Sequence, residues 1–129
     1  MFLYILNIYI FNYFKIKISI FTFAFQNDLI YIPSYKNIIE FFDDNDNLIG
    51  FVNYVENHYL DYTKSFIKMI YFTDKTFLDL MIKQMIKQLK QKKYSYALLN
   101  SESKSFDKNT IDILKSNDFA GDDFLFLNL

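Results

Sequence analysis

From Leu78 to Leu89 the apolar residues Leu78, Met81, Ile82, Met85, Ile86 and Leu89 recur at helical spacing, and Lys83, Gln84, Lys87, Gln88 and Gln91 fill the opposite face. One apolar run precedes this stripe at residues 65–72, and another follows at residues 94–100, centred on Ala97, Leu98 and Leu99. Strand, helix and strand at that spacing join economically only if the two strands lie parallel and the helix crosses over one face of their sheet, in the right-handed sense. Thr73 or Asp74 is placed to cap the helix, and Lys90, Lys92 and Lys93 sit where the negative end of its dipole favours them. The unit therefore predicts a mixed α/β domain with a helix laid on a sheet.

The flanking residues read as further strands of that sheet. Residues 37–43 carry Ile38, Ile39, Phe41 and Phe42; Asp44-Asn45-Asp46-Asn47 is a turn, because Asn and Asp tolerate left-handed backbone and bond their own main chain. Residues 48–56 return as the second arm of a hairpin, and Gly50 inside it predicts a bulge or a close backbone approach. Residues 57–64 read as a polar, aromatic loop and residues 101–106 as another. Asp107 caps a short helix carrying Ile111 and Leu114, which Asn117 or Asp118 ends in left-handed geometry, and residues 124–127 close the chain as a strand. The run from Asp43 to Asn47 lacks the glycine and closing glutamate of an EF-hand, so it is read as a turn and not as a calcium loop.

At 129 residues, 52% of them hydrophobic, the chain has material for a single domain with one core. A net charge of -1 argues against a nucleic-acid surface, which needs a basic stripe. All 14 basic residues are Lys, which removes the bidentate forks that Arg gives to anion sites. Lys, Asn, Ile, Phe and Tyr are abundant at the expense of Ala, Gly and Pro, as an AT-rich coding sequence dictates, so the 21% aromatic content is not by itself evidence for stacking on a ligand. The absence of Cys excludes disulfides and thiolate metal sites.

Residues 1–25 hold only Lys15 and Lys17 as charged groups. They read as core strand material or a partner interface, with a membrane or oligomerisation anchor as the rival. Asn7, Asn12, Lys15 and Lys17 interrupt every apolar window, whereas a spanning helix needs about 20 apolar residues. No signal-peptide pattern is seen either. The expected compartment is the cytoplasm, with homodimerisation left open.

The order of elements from residue 37 onwards resembles the core of the GNAT superfamily of acyl-CoA N-acetyltransferases. Asp46-Asn47-Leu48-Ile49-Gly50-Phe51-Val52 is similar to that family's polar turn followed by an Ile-Gly-aromatic strand. Its short-helix motif, Asn-x-x-Ala-Ile-x-Phe-Tyr-x-Lys-x-Gly-Phe, is set against this chain with Asp107 at the Asn position, Thr110 at Ala, Ile111 at Ile, Ile113 at Phe, Leu114 at Tyr, Asp118 at Gly and Phe119 at the final Phe. The resemblance implies a GNAT-like mixed, largely antiparallel sheet flanked by helices, with residues 37–129 as the family-like core and residues 1–36 as an atypical N-terminal segment.

It also implies a cofactor and a reaction. Acetyl-CoA would lie along the main chain of Met69, Ile70, Tyr71 and Phe72, with its pyrophosphate at the turn formed by Asp74, Lys75, Thr76, Phe77 and Leu78, and with Asp107 at the motif's Asn position. The acceptor would be the amine of a small molecule or peptide. Two departures weigh against this. Thr76 and Leu78 stand where the family's pyrophosphate loop has glycines, with Asp74 and Asp79 adding negative charge beside Lys75; and Leu114 stands where the family often keeps a tyrosine as general acid. A general base would have to deprotonate the amine, and Glu56 and His58 are the candidates. The competing readings are a solvated strand end for Glu56 and a loop residue for His58. Two functions follow from the resemblance: acetyl transfer to an amine, or a non-catalytic GNAT-like module that has lost its cofactor.

Overall fold

The computed structural model describes residues 37–59 and 62–129. The expectations for residues 1–36, including the strand, interface and anchor readings of residues 1–25, lie outside them. The described chain runs β1 (Ile38–Phe42), β2 (Leu48–Tyr59), β3 (Tyr62–Phe72), a 3-10 turn (Lys75–Phe77), α1 (Leu78–Gln91), β4 (Tyr96–Asn100), α2 (Lys108–Ser116) and β5 (Phe124–Asn128). The five strands form one sheet in the order β1-β2-β3-β4-β5. All neighbours are antiparallel except β3 and β4, which are parallel and joined through α1. This mixed α+β architecture is consistent with a GNAT-like fold, and the strand–helix–strand unit is as the periodicity predicts.

One expectation is corrected. Residues 57–64 are not a loop: β2 and β3 run on as a hairpin, with Asn57 opposite Lys64, His58 opposite Thr63 and Tyr59 opposite Tyr62. Tyr and Thr suit a pleated strand, and an antiparallel pair tolerates polar residues where a face meets water, so strand pairing outweighs the polarity of the segment.

Gly50 meets both expectations made for it. Beside it the register shifts, Phe41 facing Gly50 and Phe42 facing Leu48, so that β2 takes in Ile49 as an extra residue. A Cβ at Gly50 would overlap the Met81 side chain and the Tyr71 carbonyl, so only glycine lets α1 come this close to the strand. The Asp43 carboxylate accepts from the Asn45 and Asn47 backbone N–H groups, each at 2.9 Å, which fixes the hairpin turn.

The core lies between the sheet and both helices. Val52, Tyr54, Ile67, Ile70, Ala97, Leu99 and Leu125 from the strands meet Leu78, Met81, Ile82, Met85, Leu89 and Leu114 from the helices. Full burial of such side chains contributes roughly 1.5–3 kcal/mol each. The other face carries a smaller cluster of Leu48, Phe51 and Met69, with Phe51 stacked on Tyr71 at 5.0 Å between ring centroids. Among the described residues no helix is long and apolar enough to cross a membrane.

Candidate functional site

The parallel strands at the centre of the sheet part company early. β3 pairs with β4 only through Lys64–Tyr96, Ser65–Ala97 and Phe66–Leu98. Beyond Phe66, β3 pairs with β2 alone, while β4 continues along β5 through Leu99 and Asn100. A register shift falls at this fork: Tyr54 faces Ile67 and Asn53 faces Met69, so β3 takes in Lys68 as an extra residue and bends. Met69, Ile70, Tyr71 and Phe72 therefore border the fork, but their side chains are engaged elsewhere. Met69 and Ile70 are buried on opposite faces, Tyr71 stacks on Phe51, and Phe72 packs against the helix-side core. Only their main chain is placed to meet a ligand.

β3 leads into the turn at the N-terminus of α1, where the resemblance puts a pyrophosphate. Thr73 pins the turn by donating its N–H to the Ile49 carbonyl at 3.0 Å. Asp74, in extended backbone, accepts the Thr76 N–H on its own carboxylate at 3.0 Å. The Phe77 N–H goes to the Asp74 carbonyl at 3.1 Å, and the Leu78 N–H to the Lys75 carbonyl. Three donors that a phosphate would need are thus used within the turn itself. The bond from Thr76 holds the Asp74 carboxyl below its ordinary value of 3.8, so a negative charge stands there at neutral pH. A second carboxylate, Asp79, is held low by hydrogen bonds from Lys83 and Asn117, the latter at 2.9 Å. Lys75 is exposed, and Leu78, at a family glycine position, is 0% exposed in the core.

Glu56 is not brought to this turn. It lies on the helix face of β2, opposite Ser65, and accepts the Tyr94 hydroxyl. Tyr94 packs edge-on against Tyr54, with ring centroids 5.6 Å apart, and Lys92 donates to the Tyr54 hydroxyl at 3.1 Å. Burial, and then the bonds to Glu56 and Tyr54, push the Tyr94 phenol above its ordinary value of 10.0. This network stands at the C-terminal end of α1, whose 14 residues span about 21 Å. His58 belongs to β2 two residues further on, opposite Thr63, and its side chain is outside the described ones.

Asp107 is a helix cap: the backbone N–H and the hydroxyl of Thr110 both reach its carboxylate at 2.8 Å. Leu114 is buried in the core with Phe119, so no hydroxyl is offered at the position where the family often has one. Among the described residues no group of three His, Cys, Asp or Glu is placed to hold a metal ion.

Two features escape the sequence reading. One is the Glu56–Tyr94–Tyr54–Lys92 network, whose members lie 38 positions apart. The other is a cavity of about 320 Å³ on the sheet face away from the helices; Lys64, Tyr96, Leu98 and Phe126 are the described residues lining it. The period-two alternation of β4 and β5, with Ala97, Leu99 and Leu125 inward, marks Tyr96, Leu98 and Phe126 as sharing the opposite face.

No known family model matches the chain, and no curated protein does either. Among solved structures the chain is similar to an N-acetyltransferase from Staphylococcus aureus Mu50, with 19% identity, a TM-score of 0.49, and coverage of 67% of this chain and 64% of that one. A likeness of this size carries no argument about activity, and the chain spans less than two thirds of that protein's length.

Proposed function

We propose that the chain is a GNAT-like binding module that has lost cofactor binding at the α1 turn. The observation that carries this reading is the use of the Thr76, Phe77 and Leu78 N–H groups inside the turn, under the Asp74 carboxylate. An incoming pyrophosphate would have to displace the cap and approach two carboxylates with only Lys75 to offset them. The core position of Leu78 and the lack of a hydroxyl at Leu114 favour the same reading. Calorimetric titration of the full chain with acetyl-CoA tests it: the expected result is no saturable heat at millimolar cofactor.

The second reading is acetyl-CoA-dependent transfer to the amine of a small molecule or peptide, in the cytoplasm. What favours it is the fork between β3 and β4, with its bend at Lys68, which leaves the main chain of residues 69–72 bordering an opening. In this reading the main chain of residues 69–72 would hold acetyl-CoA, the acetyl group would pass from the thioester to the amine with release of the CoA thiol, and strand N–H groups would meet the charge developing on the carbonyl oxygen. The residue that would take the amine proton is then neither at the turn nor supplied by Leu114. Turnover of acetyl-CoA in the presence of an amine would establish this reading over the first.

A further inference from the structure

β5 ends the order of the sheet, and the side of it that faces away from the helices is apolar. Phe124 and Phe126 are 52% and 45% exposed, whereas Leu125 between them belongs to the core. Along an antiparallel strand, successive residues send their N–H and C=O groups to alternate sides. Phe126 sends both outward, away from β4, and Phe124 and Asn128 share that direction by the alternation. A terminal strand with large apolar side chains is a template for pairing with another strand.

The outward groups of Phe126 are already taken by the chain itself. The Ala120 N–H donates to the Phe126 carbonyl at 3.0 Å, and the Phe126 N–H donates to the Ala120 carbonyl at 2.9 Å. Gly121 follows with φ 125°, and a Cβ there would stand 2.0 Å from the Phe124 carbonyl oxygen. Only glycine lets the chain lie this close to the edge. The strap is held at both ends. Phe119 is buried and donates its N–H to the Leu114 carbonyl at 3.2 Å, while the Ser101 N–H reaches the Asp123 carbonyl at 3.0 Å. The strap thus occupies one of three outward residues, at the middle of the edge.

That edge is complementary to itself. If two copies of β5 met antiparallel about a two-fold axis at Phe126, each Phe126 would face the other, and each Phe124 would face an Asn128. All three outward residues would then pair, and the exposed rings would pack across the axis. We infer that the Ala120–Gly121 strap is a guard against the pairing of β5 with the β5 of a second copy, and that its release turns this edge into a homodimer interface. The inference is independent of whether the α1 turn accepts a cofactor.

The test follows the parent, Gly121→Val and Ala120→Pro by light scattering over a concentration series, with amide exchange reporting on β5. Valine drives a Cβ into the Phe124 carbonyl and resists the φ of Gly121, and proline removes the N–H that Phe126 accepts. The parent should show a protected Phe126 amide and no pairing through β5. Each variant should dimerise with an association constant raised about tenfold or more, since the guard's two backbone hydrogen bonds no longer compete. Adding Asn128→Pro, whose lost N–H points away from β4, should restore the monomer without unfolding it. Variants that stay monomeric would overturn the inference, as would a parent already paired through β5 or one whose Phe126 amide exchanges freely. Dimers indifferent to Asn128→Pro would also overturn it. If Gly121→Val does not fold, as circular dichroism would show, Ala120→Pro decides, because Ala120 is exposed.

Discussion

At its N-terminal end α1 is closed by residues that are neighbours in sequence, Asp74 reaching Thr76 two positions on. At its C-terminal end it is tied by Lys92 and Tyr94 to Tyr54 and Glu56, each 38 positions earlier. The first arrangement turns N–H groups inward and presents a carboxylate, so it repels anions. The second buries two phenols and donates a phenol hydrogen bond to a carboxylate, so it anchors the helix to β2. The contrast teaches that the end where the resemblance would put a cofactor is locally sealed, while the end bearing the candidate base is built as a structural tie.

The largest effect is expected where the sealed end enters the core. Replacing Leu78 by Gly, as the family's loop would have it, should cost about 3–5 kcal/mol through lost burial and lost helix propensity. Urea unfolding measures it, and a loss below about 1 kcal/mol would mean that Leu78 is not the core residue described.

At the other end, Tyr94→Phe should destabilise by about 1–3 kcal/mol, since it removes the phenol's charge-assisted hydrogen bond to the half-buried Glu56 carboxylate. A cycle with Glu56→Gln should give a coupling of at least about 0.5 kcal/mol, and none would reduce the tie to mere proximity. The phenol also sets a pH dependence. Its folded value lies above 10.0, so its contribution is complete below pH 10 and is lost as the pH climbs through the raised value. A spectroscopic titration of the tyrosines should show a phenol that resists ionisation in the parent and is missing from the titration of Tyr94→Phe.

The smallest effect is a gain. Lys93 ends α1 in left-handed backbone, with φ 63°, while the Tyr94 N–H returns to the Leu89 carbonyl at 3.2 Å. Lys93→Gly should stabilise by up to about 1 kcal/mol in the same unfolding assay, and a loss would show that the lysine side chain holds this end.

The same contrast explains what the sequence disclosed. The helix stripe, the parallel crossover, the Asp107 cap and the close approach at Gly50 are short-range patterns, and each was legible from residues a few positions apart. The Asp74 cap was legible too, as was the misfit of Thr76 and Leu78 with a phosphate loop. The role of Glu56 was not, because its partner Tyr94 lies 38 positions on, between α1 and β4, and is one of 11 tyrosines in the chain. The hairpin at residues 57–64 was misread for a related reason: its pairing partner, not its own polarity, decides its structure. The cavity needed three strands in register before its four described side chains could be seen to share a face.

The central claim is that the α1 turn is sealed against a pyrophosphate. It is tested most directly by titrating acetyl-CoA into the parent chain and into Asp74→Ala at the same ionic strength, because exposed charge effects are screened. The account predicts no saturable binding by the parent at millimolar cofactor, with any gain confined to the variant whose Thr76 N–H has lost its cap. Saturable binding by the parent at micromolar acetyl-CoA, unchanged in Asp74→Ala, would contradict it.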